Sequence, residues 1–130
     1  MMIVPQLAQK IVERSMKVLP FNVNVMDARG IIIASGNPQR IGDLHSGAQM
    51  VLARQEAVEI DTAAASSLPG AKAGINLPLY GRGEICGVIG ITGNPEETRQ
   101  YGELLRITAE MMIEQALLTT LHSVMNDQPL

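Results

Sequence analysis

Residues 74–92 read Gly74-Ile75-Asn76-Leu77-Pro78-Leu79-Tyr80-Gly81-Arg82-Gly83-Glu84-Ile85-Cys86-Gly87-Val88-Ile89-Gly90-Ile91-Thr92. Two largely apolar runs flank the turn Tyr80-Gly81-Arg82-Gly83, the pattern of a β-hairpin. Pro78 has no N–H to give a ladder, which places its strand at a sheet edge or turns that side outward. Ile85 to Ile91 is almost continuously apolar rather than alternating, as expected of a strand covered on both faces. This last strand is therefore expected at the centre of the sheet.

A second hairpin precedes it. Phe21, Val23 and Val25 alternate with Asn22 and Asn24, and Ile31-Ile32-Ile33 follow across the turn Asp27-Ala28-Arg29-Gly30. Before this hairpin, Leu7, Ile11 and Ser15 share a stripe with Ala8 and Val12 beside it, which predicts an amphipathic helix from Pro5 to about Val18, stopped by Pro20. Between the hairpins, Ala48 to Arg54 suits a helix that begins near Ser46, with Ser46 and Gln49 spaced as a capping box. Thr62 to Gly70 is small and polar and reads as a mobile loop, a candidate lid. Asn94-Pro95-Glu96-Glu97 combines a cap residue, a first-turn proline and two carboxylates at the positive end of a helix dipole.

From that start, Leu104, Thr108, Met111, Gln115, Leu118, His122 and Met125 recur at alternating spacings of four and three. The helix this predicts, over residues 95–126, is longer than a small sheet needs, so its distal half is expected to pack on the same helix of a second copy. The order helix, hairpin, helix, hairpin, long helix predicts an α+β, PAS-like domain: a small antiparallel sheet flanked by helices, one ligand-sensing unit over residues 1–130.

Composition narrows the function. The chain has 130 residues, a formal charge of −3, and 2% aromatic residues, so it lacks both the basic footprint of a nucleic-acid binder and a supply of stacking rings. The single Cys86 permits no internal disulfide, and the N-terminus carries no apolar segment with a cleavage site, so a cytoplasmic setting is expected. No apolar run reaches the roughly 18 residues of a membrane span. Cys86 lies in an apolar run and reads as a buried thiol. His45 and His122 are far apart with no further ligand-spaced partner, which predicts no metal and no cofactor. Gly81, Gly83 and Gly87 have the spacing of turn glycines, not of a dinucleotide fingerprint, and Glu96 and Glu97 are explained by the helix start. Without a nucleophile–base pair, no enzyme is expected.

One cluster carries chemistry. Arg40-Ile41-Gly42-Asp43-Leu44-His45-Ser46-Gly47-Ala48 places a guanidinium fork, an imidazole, a hydroxyl and small residues at a helix N-terminus, where an anion is favoured and a carboxylate can be gripped by Arg40. A second set, Lys72-Ala73-Gly74-Ile75-Asn76, offers a point charge and an amide able to donate to or accept from hydroxyls.

Together with Leu77-Pro78-Leu79, Gly83, Gly87-Val88-Ile89-Gly90-Ile91-Thr92-Gly93, Pro95-Glu96-Glu97 and Tyr101-Gly102-Glu103-Leu104, these blocks closely resemble the sugar diacid recognition domain, the N-terminal sensor of bacterial carbohydrate diacid regulators. The resemblance runs from about Leu7 to Gln115. It implies a ligand sensor of a transcriptional activator that recognises glucarate, galactarate or glycerate, with DNA bound only by a helix-turn-helix domain beyond residue 130, to which the long helix would lead through Asn126 to Leu130. Arg40, His45, Ser46, Gly47, Ala48, Lys72, Gly74 and Asn76 are the expected ligand residues. A signal would pass through the last strand into the long helices of a homodimer. The alternative is a dimerisation or linker module with a vestigial pocket.

Overall fold

The computed structural model describes residues 1–126. Helix α1 (Pro5–Met16) leads into strands β1 (Val23–Met26) and β2 (Ile32–Ser35) and a 3₁₀ turn at Pro38–Arg40. Helix α2 (Ser46–Arg54), strand β3 (Val58–Ile60), the single-turn helix α3 (Thr62–Ala65), strands β4 (Gly74–Gly81) and β5 (Glu84–Thr92) and helix α4 (Pro95–Asn126) follow. The strands form one antiparallel sheet in the order β2-β1-β5-β4-β3. The continuation expected through residues 127–130 lies outside the described residues.

Strand β5 is central, hydrogen-bonded to β1 on one edge and β4 on the other. Its side chains divide by parity. Ile89 and Ile91 join Val23, Val25, Ile75, Leu77 and Leu79 in a core closed by Ile11 and Val12 of α1 and Leu105, Ala109 and Ile113 of α4. Val88 joins Met26, Ile32, Val58 and Ile60 in a second, smaller core under Ala48 and Val51 of α2. Both faces are covered, which accounts for the unbroken apolar run. The hairpin turns on Arg82 and Gly83, with φ of 54° and 79°, the two left-handed residues of a type I′ turn. Strand β3 pairs only with residues 74–76, so at Pro78 strand β4 is already the sheet edge, where a proline is tolerated.

Three sequence expectations are corrected. The sheet has five strands, because the three-residue β3 is too short to leave a periodic signal. Strand β1 does not alternate between core and solvent, since all four of its positions are buried. The 62–70 stretch is not structureless, because Asp61 Oδ1 accepts the Ala64 N–H at 2.7 Å and starts α3.

Helix α4 begins where expected, Asn94 Oδ1 accepting the Glu96 N–H at 3.1 Å, and runs for 32 residues. Thr98, Gly102, Leu105, Ala109 and Ile113 face the sheet, whereas every member of the stripe from Leu104 to Met125 is exposed. Beyond Ile113 no described side chain of α4 is buried. Ile113→Ala is expected to lower the unfolding free energy by about 2–5 kcal/mol through the cavity it leaves. Urea denaturation measures this; a loss below about 1 kcal/mol would mean that α4 does not close the core at Ile113.

Candidate functional site

The α2 face of the sheet carries a polar row in an otherwise apolar layer. Asn24 of β1 and Asn76 of β4 both stand opposite Gly90 of β5, so the two asparagines flank a glycine on one rung. Both are buried, with exposures of 1% and 3%. The absence of a side chain at residues 90 and 47 makes room for Asn76. A Cβ on Gly90 would come to 2.6 Å from Asn76 Oδ1, and one on Gly47, in the first turn of α2, to 2.5 Å from Asn76 Nδ2. Neither polar atom of Asn76 has a hydrogen-bond partner among the described residues.

His45 closes the row from above. Its Nδ1 accepts the Ala48 N–H at 3.0 Å and so caps α2, a role expected of Ser46. With Nδ1 an acceptor, the proton of the neutral ring sits on Nε2, free to be donated. Burial, assisted by the positive charge of Arg40, lowers the His45 pKa from 6.5 to about 4. The imidazole is neutral at neutral pH.

Asn24, His45, Lys72, Ala73, Gly74, Asn76, Gly90, Ile91 and Thr92 enclose a cavity of about 10 Å³, room for about one water. The expected residues His45, Gly74, Asn76 and Lys72 are thus brought together, with Gly47 packed against Asn76. Lys72 is exposed at the rim. Arg40 does not line the cavity; it sits half-buried at the end of the 3₁₀ turn, near enough to His45 to act on its charge, and makes no ion pair among the described residues. The Ala48 N–H is taken by His45. Ser46 Oγ donates to the Pro69 carbonyl at 3.0 Å, tethering the 66–73 segment over the site, and Ala73 O accepts the Gly93 N–H at 2.8 Å at the other end. Sequence reasoning misses Asn24, Gly90 and Thr92. Simple alternation puts Asn24 on a solvent face; its position opposite the glycine of an otherwise apolar central strand is the signal that could have found it.

A larger, apolar cavity of about 230 Å³ lies on the other side of the molecule between α1 and α4, lined among others by Ile11, Val18, Leu19, Tyr101, Leu104 and Met112. It has few polar groups and belongs to the exposed side of α4. No helix is long and apolar enough to cross a membrane among the described residues.

The family model for sugar diacid recognition matches residues 3–128. The chain belongs to the sugar diacid recognition family. The carbohydrate diacid regulator of Escherichia coli (strain K12) is 57% identical over 113 residues, which is 87% of this chain and 29% of that protein. This chain therefore spans less than a third of that relative's length. Among solved structures, the GAF domain of a phosphoenolpyruvate-protein phosphotransferase from Coxiella burnetii has a TM-score of 0.59 and 19% identity, covering 89% of this chain and 85% of that one. A type II free methionine-R-sulfoxide reductase from Thermoplasma acidophilum has a TM-score of 0.61 and 15% identity, covering 80% and 85%. These likenesses concern the fold, and the diacid recognition domain here is α+β and GAF-like, in agreement with the PAS-like class expected.

The lowered His45 pKa has a thermodynamic consequence. Between pH 6.5 and about 4 the unfolded chain takes up a proton that the folded chain refuses. This contribution to stability is complete above pH 6.5 and is lost, by up to about 3 kcal/mol, as the pH falls towards 4. His45→Asn keeps a capping side chain and removes that proton. Unfolding free energies measured across this range should fall more steeply for the unmodified chain than for the variant; parallel curves would contradict a buried neutral imidazole.

Proposed function

We propose that the chain is the sensor domain of a transcriptional activator and that it binds a sugar diacid such as glucarate or galactarate, or glycerate, in the cavity between α2 and the Asn24–Gly90–Asn76 rung. The observation that carries this reading is the set of side-chain hydrogen-bonding groups on the buried residues Asn24, His45 and Asn76 that have no partner among the described residues and line this cavity. Groups that face a cavity unpaired are open to water or to a ligand, and a hydroxylated carboxylate supplies acceptors and donors together. Lys72 at the rim and Arg40 nearby offer positive charge, while neutral His45 contributes a donor without a like charge.

The cavity holds about one water, so a six-carbon acid enters only when the 66–73 segment moves away from α2. The ligand then selects an arrangement that is rare without it. Because Ala73 is bonded to Gly93, immediately before the Asn94 cap of α4, such a movement reaches the start of that helix. We read α4 as the output, dimerising through its exposed stripe and leading to a DNA-binding half outside this chain. A non-enzymatic role is supported by the regulator relative and by Cys86, whose thiol is buried and whose pKa is raised by that burial. The setting in this reading is the cytoplasm.

Isothermal calorimetry with glucarate, galactarate and glycerate tests the binding directly. At least one acid should bind, and Lys72→Ala and Arg40→Ala should each weaken it by about 1.5–3 kcal/mol, the range for hydrogen bonds to charged groups. Arg40→Lys should recover only part of the loss, since a point charge does not replace a planar fork. No binding by any of the three acids would reject the sensor reading.

The dimer has its own test. Met111 and Leu118 are 64% and 55% exposed on the heptad stripe. Sedimentation should give a dimer for the unmodified chain and a folded monomer for Leu118→Glu, because a carboxylate in an apolar seam opposes its symmetry mate. A monomer at every concentration of the unmodified chain would remove the stripe from the account.

A further inference from the structure

We infer that Asn24 is a ligand-binding residue of the proposed diacid site, committed to act as a hydrogen-bond donor, and that Ser35 is the positioning residue that commits it. The inference rests on the sensor reading above. An asparagine side chain offers a carbonyl oxygen on one side and an NH₂ on the other, and its environment decides which one meets a ligand.

Here the environment is directional. The backbone N–H of Asn37, which can only donate, gives its hydrogen to Ser35 Oγ at 2.9 Å. Ser35 sits opposite Asn24 on the neighbouring strand β2, and its Oγ lies 2.5 Å from Asn24 Oδ1. That separation fits O–H···O and is too short for N–H···O, so the atom facing the serine is the oxygen and the serine gives its proton to it. Asn22 Nδ2 donates to the same oxygen at 3.0 Å. The reverse orientation of the two amides would leave the serine proton and a buried NH₂ of Asn22 without acceptors, whereas the arrangement present leaves one buried oxygen, Asn22 Oδ1, unpartnered.

With its oxygen satisfied twice, Asn24 turns its NH₂ away from Ser35, and Nδ2 has no partner among the described residues. Asn24 lines the cavity with His45, Lys72 and Asn76. Its NH₂, the Nε2–H of neutral His45 and the ammonium of Lys72 form a donor-rich wall, and the side chains of Asn76 and Thr92 are able to accept from a ligand hydroxyl. Such a wall selects the carboxylate end of the ligand over an uncharged or amide-capped end, because a carboxylate accepts and cannot donate. Asn24 and Ser35, which lie outside both the Arg40–Ala48 and the Lys72–Asn76 blocks, thereby take part in specificity.

The test compares the acid that binds the unmodified chain most tightly, among glucarate, galactarate and glycerate, with the corresponding carboxamide, by calorimetry. Asn24→Asp keeps the shape and exchanges the donor for a carboxylate. The variant should bind the acid about 100-fold more weakly, since like charges in a confined site oppose each other, while its affinity for the carboxamide changes by less than about threefold. Ser35→Ala removes one atom, retains the fold, and lets the Asn24 amide turn; it should lower the acid-to-amide selectivity by about 5-fold to 10-fold. Ser35→Ala serves as the deciding variant should Asn24→Asp fail to fold. Equal losses for acid and amide in both variants, or unchanged selectivity, would overturn the assignment while leaving the sensor reading standing. Failure of all three acids to bind the unmodified chain would overturn both.

Discussion

Strand β5 is bonded on both edges and covered on both faces, and that double constraint organises the molecule. A strand so placed must be apolar almost throughout, and β5 is, except that glycine stands where a side chain would otherwise fill the α2 layer. The gap at Gly90 is what allows Asn76 to lie across the strand and Asn24 to flank it from the other side. The polar cavity is therefore an omission in the smaller core, walled by the N-terminus of α2, and the larger core on the opposite face remains free to hold α1 and α4.

In the proposed account, this division separates binding from output. The proposed ligand cavity faces α2, and the exposed stripe of α4 lies beyond the other face of the sheet. Two short links bridge them. Strand β5 itself runs from the rung to Gly93, and the Ala73 carbonyl bonds the Gly93 N–H just ahead of the cap that starts α4. In the proposed account, a ligand that displaces the 66–73 segment pulls on the residue at which the long helix begins. The exposed, heptad-spaced part of α4 would carry that movement to its counterpart in a second copy.

Much of this architecture is legible in the chain. The 74–92 hairpin shows in the Arg82-Gly83 turn between two largely apolar runs, and α4 in Asn94-Pro95-Glu96-Glu97 and the repeat that follows. Local chemistry singles out His45, Gly74, Asn76 and Lys72, and the fold brings them to one cavity. What escapes does so for physical reasons. Val58-Glu59-Ile60 is too short for a period, and it becomes a strand only because β4 offers it an edge. His45 takes the capping role from Ser46 because an imidazole nitrogen can accept an N–H as a hydroxyl can, and Ser46 is engaged with Pro69. Asn24 looks like a solvent-facing residue, since alternation cannot tell water from a polar cavity roofed by a helix.

The central claim is that the ligand meets the Asn24–Gly90–Asn76 rung. Side-chain amide resonances in a two-dimensional ¹⁵N–¹H NMR spectrum of the chain, followed during titration with glucarate, galactarate or glycerate, report on it residue by residue. The account predicts the largest shifts for the Asn24 and Asn76 side-chain NH₂ groups and the Gly47 and Gly90 backbone amides. Shifts concentrated instead on Tyr101, Leu104 and Met112, around the apolar cavity between α1 and α4, with the two asparagine amides unmoved, would contradict it.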